Sequence, residues 1–280
     1  MTKLENLFSA VFVRSSPLIE AETSTLVAVS LMRFHQIDAL LIIAKKRNGD
    51  SSESRRNCTA ITGFSILTNL LRTDTRDYYE FLFRPCERCA MRLHSISVEE
   101  WLTALIKTFE ETRFGIACLE AQDIHGLISL QDLLLLYKSG FLRTSLSVRD
   151  VASPIFQLPG SMRLNEALKM MVRRRIRRVF LSANTYITDR EIISYIFSPK
   201  RLRAVRDSPE SMLDCTLAEI QTREAIRCKG GISIEEASEL VGPADCLVCD
   251  EGLVTPWDLV VKPWMMGKLS IGTGSYDSAG

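Results

Sequence analysis

Gly252-Leu253-Val254-Thr255-Pro256-Trp257-Asp258-Leu259 decides the fold, because the chain carries it more than once. Gly126-Leu127-Ile128-Ser129-Leu130-Gln131-Asp132-Leu133 is the same pattern: glycine, two apolar residues, a hydroxyl, two spacers, a carboxylate, an apolar residue. Thr185-Tyr186-Ile187-Thr188-Asp189-Arg190-Glu191-Ile192 is a third copy, with the longer carboxylate. Gly63-Phe64-Ser65-Ile66-Leu67-Thr68-Asn69-Leu70 reads as a fourth, with the hydroxyl and the charge both lost. The last polar positions, 69, 132, 191 and 258, lie 63, 59 and 67 residues apart. A period of this length means a repeated supersecondary unit.

A second marker runs in phase with the first. Each repeat opens on two residues of apolar character three apart: Leu4 and Leu7, Cys86 and Cys89, Val148 and Val151, Leu217 and Ile220. Between the markers the periodicity alternates between helix and strand. In the second repeat Ser97-Val98-Glu99-Glu100 reads as a capping pattern that opens a helix, followed by Trp101, Leu102, Leu105, Ile106 and Phe109 at helical spacing. Gly115 to Glu120 and Asp123 to Ser129 read as strands, and Leu130 to Tyr137 as a second helix. The third repeat gives helix 164–174, strands 178–182 and 185–187, and helix 189–197; the fourth gives helix 234–241, strands 246–249 and 252–254, and helix 256–261. The fold class is α/β, built from four β-α-β-β-α repeats.

This pattern resembles the CBS domain, named after cystathionine beta-synthase, whose last strand and helix read Gly-apolar-apolar-Thr/Ser-x-x-Asp-apolar. Residues 252–259 and 126–133 match it throughout, and Ile176-Arg177-Arg178-Val179 looks like the family's second strand entry. The resemblance implies a CBS fold with repeats at 1–73, 82–139, 144–198 and 213–265, paired into two tandem modules, and a disordered tail over 266–280. It is similar in count to stand-alone archaeal proteins and to the gamma subunit of AMP-activated protein kinase.

Bulk properties narrow the classes. With 280 residues, 46% of them hydrophobic, the chain is long enough for two cored domains. A net charge of +1 supplies no global field for nucleic acid or a membrane surface, and no apolar run is long enough to span a bilayer. The start lacks a signal-peptide stretch, so a cytoplasmic location is expected. The polar run Lys45 to Arg56 reads as a mobile loop, and residues 72–84 and 199–214 as linkers between repeats. Cys86/Cys89 and Cys246/Cys249 have the spacing of zinc ligands. The first pair, however, fills slots that are apolar in the other repeats, and the second lies in a strand, where residues three apart face opposite sides. Buried, reduced cysteines and no metal are expected.

The hydroxyl–x–x–carboxylate pattern has two readings. As structure, it is a capping box, with Pro256 at the favoured first helical position. As a site, it sets a carboxylate suited to a ribose diol at a helix N-terminus suited to phosphate. The family resemblance implies the second: Thr255 and Asp258 first, Ser129 and Asp132 next, then Thr188 and Glu191, with Arg177 and Arg178 as phosphate contacts in a module of repeats 3 and 4. Ile66 and Asn69 would leave the repeat 1 position empty or structural. The expected ligand is AMP, ADP or ATP in that module, with an uncharged adenosine compound or the sulfonium S-adenosylmethionine as the alternative elsewhere. The expected function is a non-catalytic regulatory sensor that signals to a protein partner, with a homodimer compatible with its apolar helix faces. The rivals are a structural scaffold with vestigial sites and a nucleic-acid-associated regulator using Arg173 to Arg178 and Lys200 to Arg206. No nucleophile, base and acid converge in the sequence, and His35, His94 and His125 stand in unrelated contexts, so an enzyme is not expected.

Overall fold

The computed structural model describes Leu4 and residues 17–43, 58–121 and 124–272. The run Lys45 to Arg56 lies outside the described residues. The chain folds as two compact units, one of Met1–Ser15, His94–Ile155 and Ala225–Gly280, the other of Ser16–Leu93 and Phe156–Glu224. The first holds repeats 2 and 4, the second repeats 1 and 3.

Each repeat is built alike. A short leading strand pairs parallel with the strand that follows the first helix: Leu18–Glu20 with Ala39–Ile43, Ser95–Ser97 with Ile116–Ala121, and Ile226–Arg227 with Leu247–Cys249. In repeat 3 the same place is held by a parallel bridge from Gln157 to Phe180. Parallel pairing needs a crossover, and the first helix supplies it. That helix buries residues at i, i+3, i+4 and i+7: Thr25, Ala28, Val29 and Met32; Leu102, Leu105, Ile106 and Phe109; Leu164, Ala167, Leu168 and Met171. In all four repeats it ends on a non-glycine residue in the left-handed region, Gln36, Arg113, Arg175 and Asp245, with φ of 53°, 53°, 55° and 63°. The chain then returns through an antiparallel strand pair into the second helix: Gly63–Leu70, Leu130–Lys138, Asp189–Ile196 or Pro256–Met265.

The opening pairs make short helices. Cys86–Cys89, Val148–Val151 and Leu217–Glu219 each bury the marker residues they contain, and Leu4 and Ile220 are buried too; Leu7 lies outside the described residues. Each pair's first backbone N–H donates to the carbonyl just ahead of a first-helix N-cap: Leu4 to Glu100, Cys86 to Thr23, Val148 to Ile232, Leu217 to Met162. Leu4, from the opening of repeat 1, therefore bonds to repeat 2, and the opening segment of repeat 2 docks on repeat 1. Repeats 3 and 4 exchange theirs in the same way.

Three local expectations change. The Ser97 pattern does not start a helix. Ser97 closes a strand, its Oγ accepts the Glu99 N–H at 3.2 Å in a turn, and helix Leu102–Thr112 begins after Trp101. Ser270–Ile271 pairs with Leu142–Arg143, so the tail is ordered that far. Cys58 and Cys118 are disulfide-bonded rather than reduced. The other six cysteines are free thiols, and among them burial pushes the Cys86 thiol up to about 11, with the neighbouring Cys89 adding to it. Among the described residues no helix is long and apolar enough to cross a membrane.

Candidate functional site

The second helix of every repeat begins at the motif, and the strand pairing sets the register. Thr62 lies opposite Ala39, Ser129 opposite Ile116 and Thr188 opposite Arg178. Thr62 is the N-cap of helix Gly63–Leu70, and Thr62 and Ser65 cap each other reciprocally at 2.9 and 3.0 Å. The repeat 1 motif is therefore Thr62-Gly63-Phe64-Ser65. Ile66 is fully buried inside the helix, and Asn69 lies near the helix end, donating to the Ser65 carbonyl at 2.9 Å. The position of the fourth copy shifts by four residues; repeat 1 keeps the hydroxyl cap and lacks the carboxylate. The third cap positions become 65, 132, 191 and 258, spaced 67, 59 and 67 residues apart.

The three carboxylates differ in how far they are committed. Asp258 is 2% exposed. Its Oδ2 accepts from the Thr255 N–H at 2.8 Å and the Thr255 hydroxyl at 2.7 Å. Its Oδ1 accepts from the Ser153 hydroxyl at 2.6 Å and pairs with the Lys262 ammonium at 2.9 Å. That ammonium also donates to the Val151 and Ala152 carbonyls and to Ser153. The strand around Gly252 meets the same segment: a Cβ on Gly252, at φ +144°, would stand 2.2 Å from the Ser153 carbonyl oxygen. Thr255 and Asp258, first in the sequence ranking, form a filled internal network that pins the Val148–Val151 segment to helix Pro256–Met265. Asp132 is half-buried, and its Oδ2 takes the Ser129 N–H and hydroxyl, both at 2.7 Å. Its Oδ1 has no hydrogen bond among the described residues. Glu191 takes the Thr188 N–H at 3.0 Å and hydroxyl at 2.5 Å through one oxygen, while the other stands 4.0 Å from Arg223 Nε.

The arginine pair divides. Arg177 forks onto Asp189, which is 2% exposed, with Nε to Oδ2 at 2.9 Å and Nη2 to Oδ1 at 3.2 Å. Its Nη2 also lies 3.7 Å from Asp38 Oδ2. Arg190 grips Asp38 Oδ1 with two N–H groups at 3.1 and 2.6 Å. Burial pushes the Asp38 carboxyl up, but Arg177 and Arg190 outweigh it and hold the group below its ordinary value. Arg178 starts its strand beside Arg177, and its charge too helps to hold the Asp38 carboxyl down. Its Nε–H is buried and donates no hydrogen bond among the described residues. Beside the Asp38 cluster lies a cavity of about 330 Å³, lined among others by Arg33, Gln36, Asp38, Arg177 and Arg190. The sequence signal for this cluster is weak, because Asp38 belongs to none of the recurring motifs and lies 152 residues from Arg190.

The sequence reading grouped Thr255 and Asp258 with Arg177 and Arg178 in one module. The compact units place the first pair with repeats 2 and 4 and the second with repeats 1 and 3. Among the described residues no group of three or more His, Cys, Asp or Glu side chains could hold a metal ion.

No protein-family model matches the chain. No curated protein matches it either. Solved structures do. A Methanocaldococcus jannaschii protein, described as a proposed archaeal homologue of g-AMPK, superposes with a TM-score of 0.76 at 15% identity, over 91% of this chain and 98% of its own. An uncharacterized conserved protein from Pyrococcus horikoshii gives 0.50 at 11%, over 92% and 98%. A CBS domain protein from Pyrobaculum aerophilum complexed with AMP covers 47% of this chain and 90% of its own at 9% identity with a TM-score of 0.37, too slight a likeness to argue from. The first likeness spans nearly all of both chains, and the four repeats take the CBS fold that the sequence resembles.

Proposed function

We propose that this chain is a non-catalytic regulatory protein that binds an adenine nucleotide, AMP, ADP or ATP, at the motif end of repeat 3 and signals to a protein partner. One observation carries the reading: Arg178, directly opposite Thr188, holds a buried Nε–H with no acceptor among the described residues. An unsatisfied buried donor costs roughly 1–3 kcal/mol, more when charged, so such a group calls for an acceptor from outside the chain. Guanidinium suits phosphate geometry, and Thr188 caps a helix whose N-terminus favours anions. Glu191 stands at the place from which a carboxylate can take a ribose diol. The likeness of fold to a proposed homologue of g-AMPK agrees with this reading. Asp132, with one oxygen uncommitted, is the second position for a nucleoside; with no arginine opposite Ser129, it suits an adenosine without phosphates, S-adenosylmethionine included.

Calorimetric titration with AMP, ADP, ATP and S-adenosylmethionine tests this. Micromolar binding of a phosphate-bearing ligand that Arg178→Gln weakens tenfold, about 1.4 kcal/mol, is the expected result. Absence of heat and of any thermal shift with all four would remove the nucleotide reading. A structural scaffold is the second reading, and the filled network at Asp258 favours it: there the motif serves packing alone.

A further inference from the structure

We infer that Cys228 and Cys249 of repeat 4 are a thiol pair placed for reversible oxidation, a modification site at which one disulfide fastens the leading strand to the second strand. The repeat makes the point. In each copy a leading-strand residue lies beside the third residue after the one opposite the motif hydroxyl. That pair is Ile19 and Ile42 in repeat 1, and Ile96 and Leu119 in repeat 2. In repeat 3 it is Leu158 and Leu181, next to the bridge from Gln157 to Phe180. Three copies therefore set two aliphatic side chains there. In repeat 4 both members are cysteine, and packing alone gives no reason for the two places to take the same reactive residue together.

The register puts the two thiols within reach of each other. Ile226 pairs with Leu247 and Arg227 with Val248 in parallel, and the Cys228 N–H donates to the Val248 carbonyl at 2.9 Å. Cys228 therefore stands beside Cys249 on the same face of the sheet. Neighbouring strands lie about 4.8 Å apart, inside the range of roughly 4.4–6.8 Å between Cα atoms that a disulfide spans. Cys246, three residues before Cys249, faces the other side. Access also divides the pair. Of the six free cysteines only Cys228 is not buried, so it is the thiol that a reagent meets first, with Cys249 behind it. Burial pushes both thiols up, Cys228 to about 11, and Cys249 adds to the rise at Cys228. The pair thus stays protonated until an oxidant engages Cys228. With a small-molecule disulfide as that oxidant, the Cys228 thiolate attacks one of its sulfurs, forming a mixed disulfide and releasing one small thiol. The Cys249 thiolate then attacks the Cys228 sulfur, closing the protein disulfide and releasing the second small thiol. Two protein thiols are oxidised, one small disulfide is reduced, and the two protons end on the released thiols. The bridge closes a loop around helix Ile234–Ala244 and so restricts the unfolded chain.

The inference stands whether or not repeat 3 binds a nucleotide. Wild type, Cys228→Ser and Cys249→Ser are equilibrated with millimolar oxidised glutathione at pH 8, then denatured, alkylated and read by mass spectrometry. Wild type is expected to fall from six free thiols to four, with one peptide pair joined through Cys228 and Cys249. Dithiothreitol should free both thiols again. Cys249→Ser should stop at glutathione on Cys228, and Cys228→Ser should keep all of its remaining free thiols. The oxidised wild type should melt above the untreated chain, whereas Cys228→Ser should melt alike with and without treatment. A wild-type chain that keeps six thiols, that stops at glutathione on Cys228, or that closes its new bridge through another cysteine overturns the proposal. So does an oxidised wild type that melts no higher than the untreated one. The wild-type arms decide the matter even if a variant fails to fold.

Discussion

Asp258→Asn should destabilise the chain by about 3 kcal/mol, through packing rather than through a ligand. The carboxylate is 2% exposed and takes four contacts: two from Thr255, one from Ser153 and one from Lys262. Asparagine keeps an oxygen for the cap, so most of the roughly 1 kcal/mol of a capping interaction survives. The loss falls on Lys262. Removing one partner of a buried ion pair costs about 3–5 kcal/mol. The Lys262 side chain is 29% exposed and retains the Val151 and Ala152 carbonyls, which places the effect at the low end of that range. In denaturant unfolding followed by circular dichroism, the expected change is a lowered midpoint with an unchanged slope. In thermal unfolding about 3 kcal/mol corresponds to roughly 6–12 °C for units of this size. Asp132→Asn, at a half-buried site with no cationic partner among the described residues, should cost about 1 kcal/mol or less. If Asp258→Asn unfolds within about 1 kcal/mol of wild type, the Lys262–Asp258–Ser153 network does not hold the segment as argued.

Gly252→Ala should lower stability by more than about 2 kcal/mol in the same assay, because its Cβ would meet the Ser153 carbonyl at 2.2 Å and its φ of +144° disfavours any side chain. Arg113→Gly, at a helix end with φ of 53°, should instead raise stability by about 0.5–1 kcal/mol as left-handed strain is relieved. Cys86, fully buried with its thiol pushed up to about 11, should resist iodoacetamide in the native chain at pH 8 and react once the chain is unfolded, read by mass spectrometry. Asp38 titrates below its unfolded value of 3.8, so its ion pairs stabilise the fold above that pH and are lost as the pH falls below it. Acid unfolding curves of wild type and Asp38→Asn should therefore converge at the low-pH end and separate above about pH 4.

The repeats were legible because each is written in local chemistry: a cap, an apolar stripe and a hydroxyl–carboxylate pair recur in phase. Where a copy had lost that chemistry, the register slipped. Repeat 1 carries Thr62-Gly63-Phe64-Ser65, and its glycine is the first helical residue rather than the strand glycine of repeats 2 and 4, so a match anchored on glycine falls four residues late. Ser97 misled because a serine that accepts a turn N–H and one that caps a helix look the same in sequence. The site was less legible than the fold. Lys262 lies four residues after Asp258 and could have been paired with it on one helix face. Ser153 lies 105 residues away, and Asp38 lies 152 residues from Arg190. Such distant pairings are set by which repeat packs on which, and no local pattern encodes that. The exchange of opening segments escapes a sequence reading for the same reason.

Crystals of the chain grown with AMP test the central claim most directly. The account predicts phosphate density within hydrogen-bond reach of Arg178 and the ribose hydroxyls on Glu191, with Asp258 still bonded to Lys262 and Ser153. AMP bound to Asp258 with that network broken, or saturating AMP that leaves Arg178 unpaired, would contradict it.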